Sequence, residues 1–172
     1  MLEVRGTPMA HFKYYESLRN LKRMYGFVDV KDRTVLDIGA DWGSTPHFFI
    51  TRGAKSVIAV EGGRNHYDEM VKNLKDESRV LPIYLFIRET EDMVKLIKNL
   101  HPDIVKIDCE GCEQALVNVP QDVLRIPREY VIEIHSEELI ESIHKSLNDG
   151  FDLCEDIPIV EGVRIRHYVR GD

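Results

Sequence analysis

Short runs rich in valine and isoleucine alternate along this chain with longer segments that carry one apolar face, and that alternation restricts the fold more than any other feature. The runs lie at 34–38, 56–60, 80–87, 103–107, 130–135, 151–157 and 164–169. Strands buried on both faces have this composition, because neither face meets water. Candidate helices lie between them, at 43–52, 65–75, 91–100, 112–117 and 137–148, and an opening helix is expected over roughly 8–25. Met70, Val71 and Leu74 share one face of the second, and Met93, Leu96, Ile97 and Leu100 one face of the third. Leu139, Ile140, Ile143 and Leu147 do so in the last, with Gly150 as a stop signal. Such alternation predicts a mostly parallel sheet covered by helices on both faces, with ligands at the carboxyl ends of its strands. Only about six residues separate the last two runs, too few for a parallel crossover, so they should pair antiparallel. The expected architecture is a Rossmann-like α/β fold: a seven-stranded, mostly parallel sheet with an antiparallel last strand. No linker-like or repetitive segment divides the chain, so we expect one domain, with a helical segment over 1–30 and the core over 31–172.

Composition narrows the class. With 172 residues, 43% apolar and 31% charged, the chain can bury a core. Its 23 basic and 30 acidic residues leave a net charge of −7, which argues against nucleic acid as a partner, since phosphate binding favours a basic surface. No apolar run approaches the ~18 residues that a membrane span needs. The first ten residues lack the apolar stretch of a signal peptide. Three cysteines do not make a disulfide framework, so a reducing, cytoplasmic setting is expected. The charged composition and only two glutamines would suit a thermophile.

The first strand-to-helix turn reads TVLDIGADWG from Thr34 to Gly43. Gly39 and Gly43 leave room for a ligand against the backbone. A dinucleotide fingerprint would carry G-x-G-x-x-G; here Asp41 stands where the middle glycine would be, and aspartate tolerates left-handed backbone. Asp37 ends the strand, where a carboxylate would order the loop and suit the ammonium of a cofactor bearing an amino acid. Trp42, the only tryptophan, is a candidate contact or a packing residue. Glu61 ends the second strand 22 positions after Gly39, the spacing of an acid that accepts from both ribose hydroxyls. Gly62 and Gly63 would let the chain turn beneath the sugar. Ile87 and Arg88, after the third strand, are candidates for the adenine site.

The fourth strand ends in DIVKIDCEGCE, from Asp103 to Glu113. Asp108 and Glu110 should emerge at the carboxyl edge, where two neighbouring acids are costly unless they bind something or share a proton. Glu113 opens a helix, where the helix dipole favours a carboxylate.

DIGADWG, VEG and KIDCEGCE together resemble the FkbM-type methyltransferases, a class I family dependent on S-adenosylmethionine (SAM). Asp37, Gly39, Ala40 and Gly43 match its first turn, with Asp41 in place of the usual asparagine. Lys106, Asp108, Glu110, Gly111 and Glu113 match its second block, and Glu133 and His135 stand near a strand end as in that family. The resemblance spans roughly 34–135. It implies SAM as the cofactor and methylation of a hydroxyl on a small molecule or glycan; together with the positional readings above, the candidate cofactor residues are Asp37, Gly39, Ala40, Asp41, Trp42, Gly43, Glu61, Gly62, Ile87, Arg88 and Asp108. His135 would then take the hydroxyl proton, with Glu110 or Asp108 orienting it or holding the acceptor. No metal is assigned: Cys109 and Cys112 form C-x-x-C, near which His135 could lie, but no second such pair exists to complete a zinc site and Cys109 should point into the sheet packing; a zinc or redox role, or Mg2+ on the acidic cluster, stays a minor reading. Three other readings stay open: a non-catalytic binding module of this fold, a nicotinamide-dependent enzyme, and a methyltransferase for RNA or protein.

Overall fold

A computed structural model describes residues 17–171. The part of the opening helix expected over 8–16 lies outside them. The described residues divide into two compact units, up to 86 and from 87 onward, and the strands form one seven-stranded sheet in the order 80–84, 56–61, 34–38, 104–107, 129–134, 163–170 and 151–160.

The first unit begins with α1 (Leu18–Tyr25), whose N-cap Ser17 accepts the Asn20 amide at 3.2 Å and whose Leu21 and Tyr25 are buried. Then follow β1 (Thr34–Ile38), α2 (Ser44–Thr51), β2 (Ser56–Glu61), α3 (Arg64–Asn73) and β3 (Val80–Tyr84). β1 runs parallel to β2, and β2 to β3. β1 and β2 are buried almost throughout, as their mostly apolar composition requires. Gly43 precedes α2 at φ 95°, and a Cβ there would lie 2.8 Å from Leu74 Cδ1 and 3.3 Å from Met70 Cγ. The left-handed φ strains any other residue there, and a side chain would also crowd Leu74 and Met70, so the protein's own interior gives a reason for the glycine.

β3 stops three residues short of the expected 87. After Tyr84 the Leu85 amide donates to the Glu61 carbonyl at 3.0 Å. The Arg88 and Glu89 amides then donate to Asp92 Oδ2. A reciprocal capping box between Glu89 and Asp92 opens the next helix. The apolar run 85–87 is thus an approach to a cap, which its hydrophobicity alone did not reveal.

The second unit holds α4 (Thr90–Leu100), β4 (Ile104–Ile107), a 3-10 helix (Cys112–Leu116), α5 (Gln121–Leu124), β5 (Glu129–Ile134), α6 (Glu137–Leu147), β6 (Phe151–Val160) and β7 (Val163–Arg170). β4 and β5 are parallel; β7 pairs antiparallel with both β5 and β6. The last two strands form the expected antiparallel pair, joined by a turn at Glu161 and Gly162, the latter at φ 77°. β6 is the outermost strand and is largely exposed. Segment 112–117, expected as a helix, is a single tight 3-10 stretch, a form that short connectors favour. α5 was not foreseen, because four residues show no period. Among the described residues no helix is long and apolar enough to cross a membrane.

Candidate functional site

In the first unit the turn after β1 is tied to the end of β2. The Gly39 and Ala40 amides both donate to the Val60 carbonyl, at 2.9 and 3.0 Å. Asp41 adopts the left-handed geometry foreseen for it, at φ 48°. Its amide donates to Glu61 Oε2 at 2.8 Å, and the Gly63 amide donates to Glu61 Oε1 at 2.6 Å. Glu61 is 8% exposed. Both of its oxygens are therefore aimed by backbone donors, and each keeps a lone pair for a further donor. The Asp41 carboxylate meets His66 Nδ1 at 2.8 Å, and the Trp42 ring lies 4.6 Å from the His66 ring. The Trp42 carbonyl accepts from Asn73 Nδ2 at 2.9 Å.

Asp37 is 0% exposed, and its Oδ2 accepts from the Thr45 hydroxyl at 2.6 Å. That contact joins β1 to the start of α2. A Cβ on Gly62 would lie 2.9 Å from Phe86 Cδ2 and 3.1 Å from Phe86 Cα, so the passing chain sets its size. The structure thus gathers Asp41, Glu61 and the 62–63 turn around one carboxylate. In the second unit Ile87 is buried and Arg88 exposed, the latter engaged through its amide in the α4 cap.

The ends of β4 and β5 carry the second constellation. His135 Nδ1 lies 3.2 Å from Glu113 Oε1, which also accepts the His135 amide at 3.0 Å. Glu113 Oε2 accepts the Gly111 amide at 2.7 Å, and the whole residue is 0% exposed. On the other side of the ring, His135 Nε2 lies 3.7 Å from Glu133 Oε1 and 3.9 Å from Asp108 Oδ1. Buried Lys106 places Nζ 3.8 Å from Asp108 Oδ2. Burial pushes Glu113 upward, but hydrogen bonds from His135 and nearby amides outweigh it and hold this carboxyl below its ordinary range. The hydrogen bond to Glu113 raises His135 against the opposing effect of burial. Glu133 is pushed up to about 7, first by burial and then by the Asp108 charge. Glu110 sits exposed on the turn at φ 50°.

Asp108 and His135 are brought together as foreseen, and Lys106, Glu113 and Glu133 join them. An alternation rule would have found two of these. Lys106 with Asp108, and Glu133 with His135, are spaced two apart and so lie on the same side of an extended chain. Asp108, Glu133 and His135 each offer one ligand atom, all within 4.8 Å of one another, a set that could hold a metal ion.

The cysteine reading is corrected. Cys109 and Cys112 form a disulfide with Cα atoms 5.5 Å apart, and Cys109 is half-buried in this bridge where packing into the sheet was expected. Left-handed backbone at Glu110 and Gly111 folds the intervening turn back far enough to close it, which no count of cysteines discloses. Cys154 is free and exposed. The bridge closes a very short loop, for which chain entropy supplies about 2 kcal/mol. Reduction, or Cys109→Ser with Cys112→Ser, should lower the melting temperature by about 4–8 °C in a chain of this size. Thermal scans with and without reductant check this; coincident transitions would contradict it.

Comparison with solved structures shows that the fold is Rossmann-like and is shared with proteins described as methyltransferases. A Streptococcus agalactiae protein of the NADB-Rossmann superfamily superposes with TM-score 0.66 at 18% identity, covering 91% of this chain and 69% of that one. A Streptococcus pneumoniae protein with a proposed tRNA (m1A22) methyltransferase activity gives 0.65 at 19%, covering 91% and 71%. Aeropyrum pernix fibrillarin, solved with natively bound SAM, gives 0.61 at 16%, covering 83% and 69%. Such neighbours overturn the expectation against nucleic acid, because proteins that share this fold include ones named for action on RNA. Net charge sums the whole surface, whereas a phosphate feels charges within about 8 Å at physiological salt, so the sum was a poor guide.

No family model matches the sequence. Two viral proteins do. Uncharacterized protein 65 of Sulfolobus islandicus filamentous virus (isolate Iceland/Hveragerdi) is 32% identical over 120 residues, 68% of each chain. Uncharacterized protein 158B of Sulfolobus islandicus rod-shaped virus 1 is 32% identical over 119 residues, 68% of this chain and 70% of that one. Identity at that level over more than two thirds of both chains means that this chain belongs to the family of protein 158B.

Proposed function

We propose that the chain is a SAM-dependent methyltransferase of the FkbM type that methylates a hydroxyl on a small molecule or sugar. The observation that carries the reading is Glu61, a shielded carboxylate at the end of β2 whose two oxygens are fixed by the Asp41 and Gly63 amides. A charged, pre-aimed pair of acceptors suits the paired hydroxyls of a ribose. Gly39, Ala40, Asp41, Trp42, Gly43 and Gly62 supply the surrounding turns, Asp37 steadies them through Thr45, and Ile87 and Arg88 serve the base. SAM when bound supplies the activated methyl group, and the protein's task is to position and deprotonate the acceptor.

Asp108, Glu110 and His135 are assigned to the acceptor. Glu113 holds Nδ1 of His135, so the acceptor hydroxyl is handled on the Nε2 side, where Asp108 and Glu133 also face. His135→Ala should lower turnover of radiolabelled SAM by about 10²–10⁴-fold, the usual scale of a lost acid–base group. Unchanged turnover would remove His135 from the reaction.

A second reading, with RNA as the acceptor, is favoured by the fold neighbours named for action on RNA. Methyl transfer to bulk RNA and to a panel of sugars and phenols, run side by side, separates the two. We place the protein in the cytoplasm and treat its two units as one functional domain. A disulfide is compatible with that setting in proteins of hyperthermophilic archaea.

A further inference from the structure

We infer that Asp108, Glu133 and His135 form a binding site for one divalent transition-metal cation, of the Mn2+ and Zn2+ class. Three independent features of the second unit lead there.

The first is the orientation of His135. Glu113 accepts from Nδ1 at 3.2 Å and is itself pinned by the His135 and Gly111 amides. With its proton held on Nδ1, the ring presents the Nε2 lone pair on its other side. A buried carboxylate behind a histidine is the arrangement that orients imidazole ligands and strengthens them as donors.

The second is what Nε2 faces. Glu133 Oε1 at 3.7 Å and Asp108 Oδ1 at 3.9 Å are both acceptors. Neither separation is short enough for a hydrogen bond. Three potential ligand atoms converge within 4.8 Å of one another, and a cation among them would add to the neutralisation that Lys106 gives Asp108. A cation with bonds of about 2.0–2.2 Å holds adjacent ligand atoms about 3 Å apart and opposite ones about 4 Å apart. Small rotations of the three side chains reach that spacing.

The third is Glu133. It is 8% exposed, and its Oε2 has no hydrogen-bond partner among the described residues. A buried carboxylate oxygen without a donor is costly, and coordination of the group to a cation offsets that cost. Lys106 approaches Asp108 through Oδ2 and leaves Oδ1 on the His135 side. One imidazole with two carboxylates is a mixed nitrogen–oxygen set, which favours Mn2+, Fe2+ or Zn2+ over Ca2+. Two or three coordination positions stay open for water or for an acceptor hydroxyl. With the cation bound, Nε2 would be its ligand and not a base, so acidification of the coordinated hydroxyl by the cation would replace proton removal by His135.

The site stands on geometry independent of the methyltransferase reading, and its test is kept separate. Mn2+ is titrated into the full chain and free ion is read by electron paramagnetic resonance. The expected result is one Mn2+ per chain, with 14N modulation from an imidazole ligand. Glu133→Gln and Asp108→Asn should each weaken binding by at least about tenfold, and Glu113→Gln by about 10–100-fold, as for other residues behind a metal ligand. Asp156→Asn, which alters a surface acid paired with Arg164 and Arg166, should leave binding unchanged. No saturable Mn2+ binding, or binding without 14N coupling in the wild type, would overturn the site whether or not the variants fold. Affinity unaltered in folded Glu133→Gln and Asp108→Asn would do the same. SAM binding measured on the same samples keeps the two ideas apart: SAM without Mn2+ removes the cation alone, and Mn2+ without SAM removes the methyltransferase reading alone.

Discussion

Glu61→Ala is expected to weaken SAM binding by at least about 100-fold while leaving a folded chain. The size follows from charge-assisted hydrogen bonds. Two ribose hydroxyls lose a carboxylate acceptor, at about 1.5–3 kcal/mol each, and about 1.4 kcal/mol is tenfold in affinity. The substitution also frees the Asp41 and Gly63 amides, so the turn after β1 keeps only its Gly39 and Ala40 bonds to the Val60 carbonyl. Part of the loss is therefore disordering of the turn. Glu61→Gln separates the contributions, since it keeps a carbonyl acceptor but discards the charge. Calorimetry should rank wild type above Glu61→Gln above Glu61→Ala. Equal affinity in all three would mean that this carboxylate holds the turn and touches no cofactor.

Glu113→Ala should be the most damaging change to stability. Glu113 is wholly buried and satisfies two backbone amides and one imidazole nitrogen across two segments of the second unit. Truncation leaves those donors without acceptors in the interior, at about 1–3 kcal/mol for each group that water cannot reach. A loss of about 3 kcal/mol corresponds to roughly 10 °C in melting temperature for a chain of this length. Glu113→Gln retains an acceptor oxygen and should recover more than half of the loss. A melting temperature within about 2 °C of wild type for Glu113→Ala would show that the turn re-satisfies its amides in another way.

These two glutamates show how far the sequence could be read. Glu61 was legible because a strand end, a glycine turn and a fixed spacing coincide in a contiguous stretch. Glu113 was legible only as a helix-opening acid. Its partner His135 lies 22 positions away, and only pairing of β4 with β5 unites them. The antiparallel finish was foreseen because a short connection excludes a crossover. The end of β3 was misjudged because Leu85, Phe86 and Ile87 are apolar, while the capping demands of α4 decide where the chain leaves the sheet. Gly43 was read as space for a ligand and Gly62 as freedom for a tight turn, and a Cβ at these positions would meet Leu74 and Phe86. Local sequence shows that a glycine is needed and leaves open what needs it. The disulfide was missed for a related reason: its closure depends on positive φ at Glu110 and Gly111, and Glu110 is a residue type that seldom adopts it.

The central claim is that the turn after β1 and the carboxylate of Glu61 hold SAM. Titration calorimetry of the wild-type chain with SAM, S-adenosylhomocysteine and NADH tests it most directly. The account predicts micromolar, one-to-one binding of the first two and none of NADH. Binding of NADH without the sulfonium pair, or of none of the three, would contradict it.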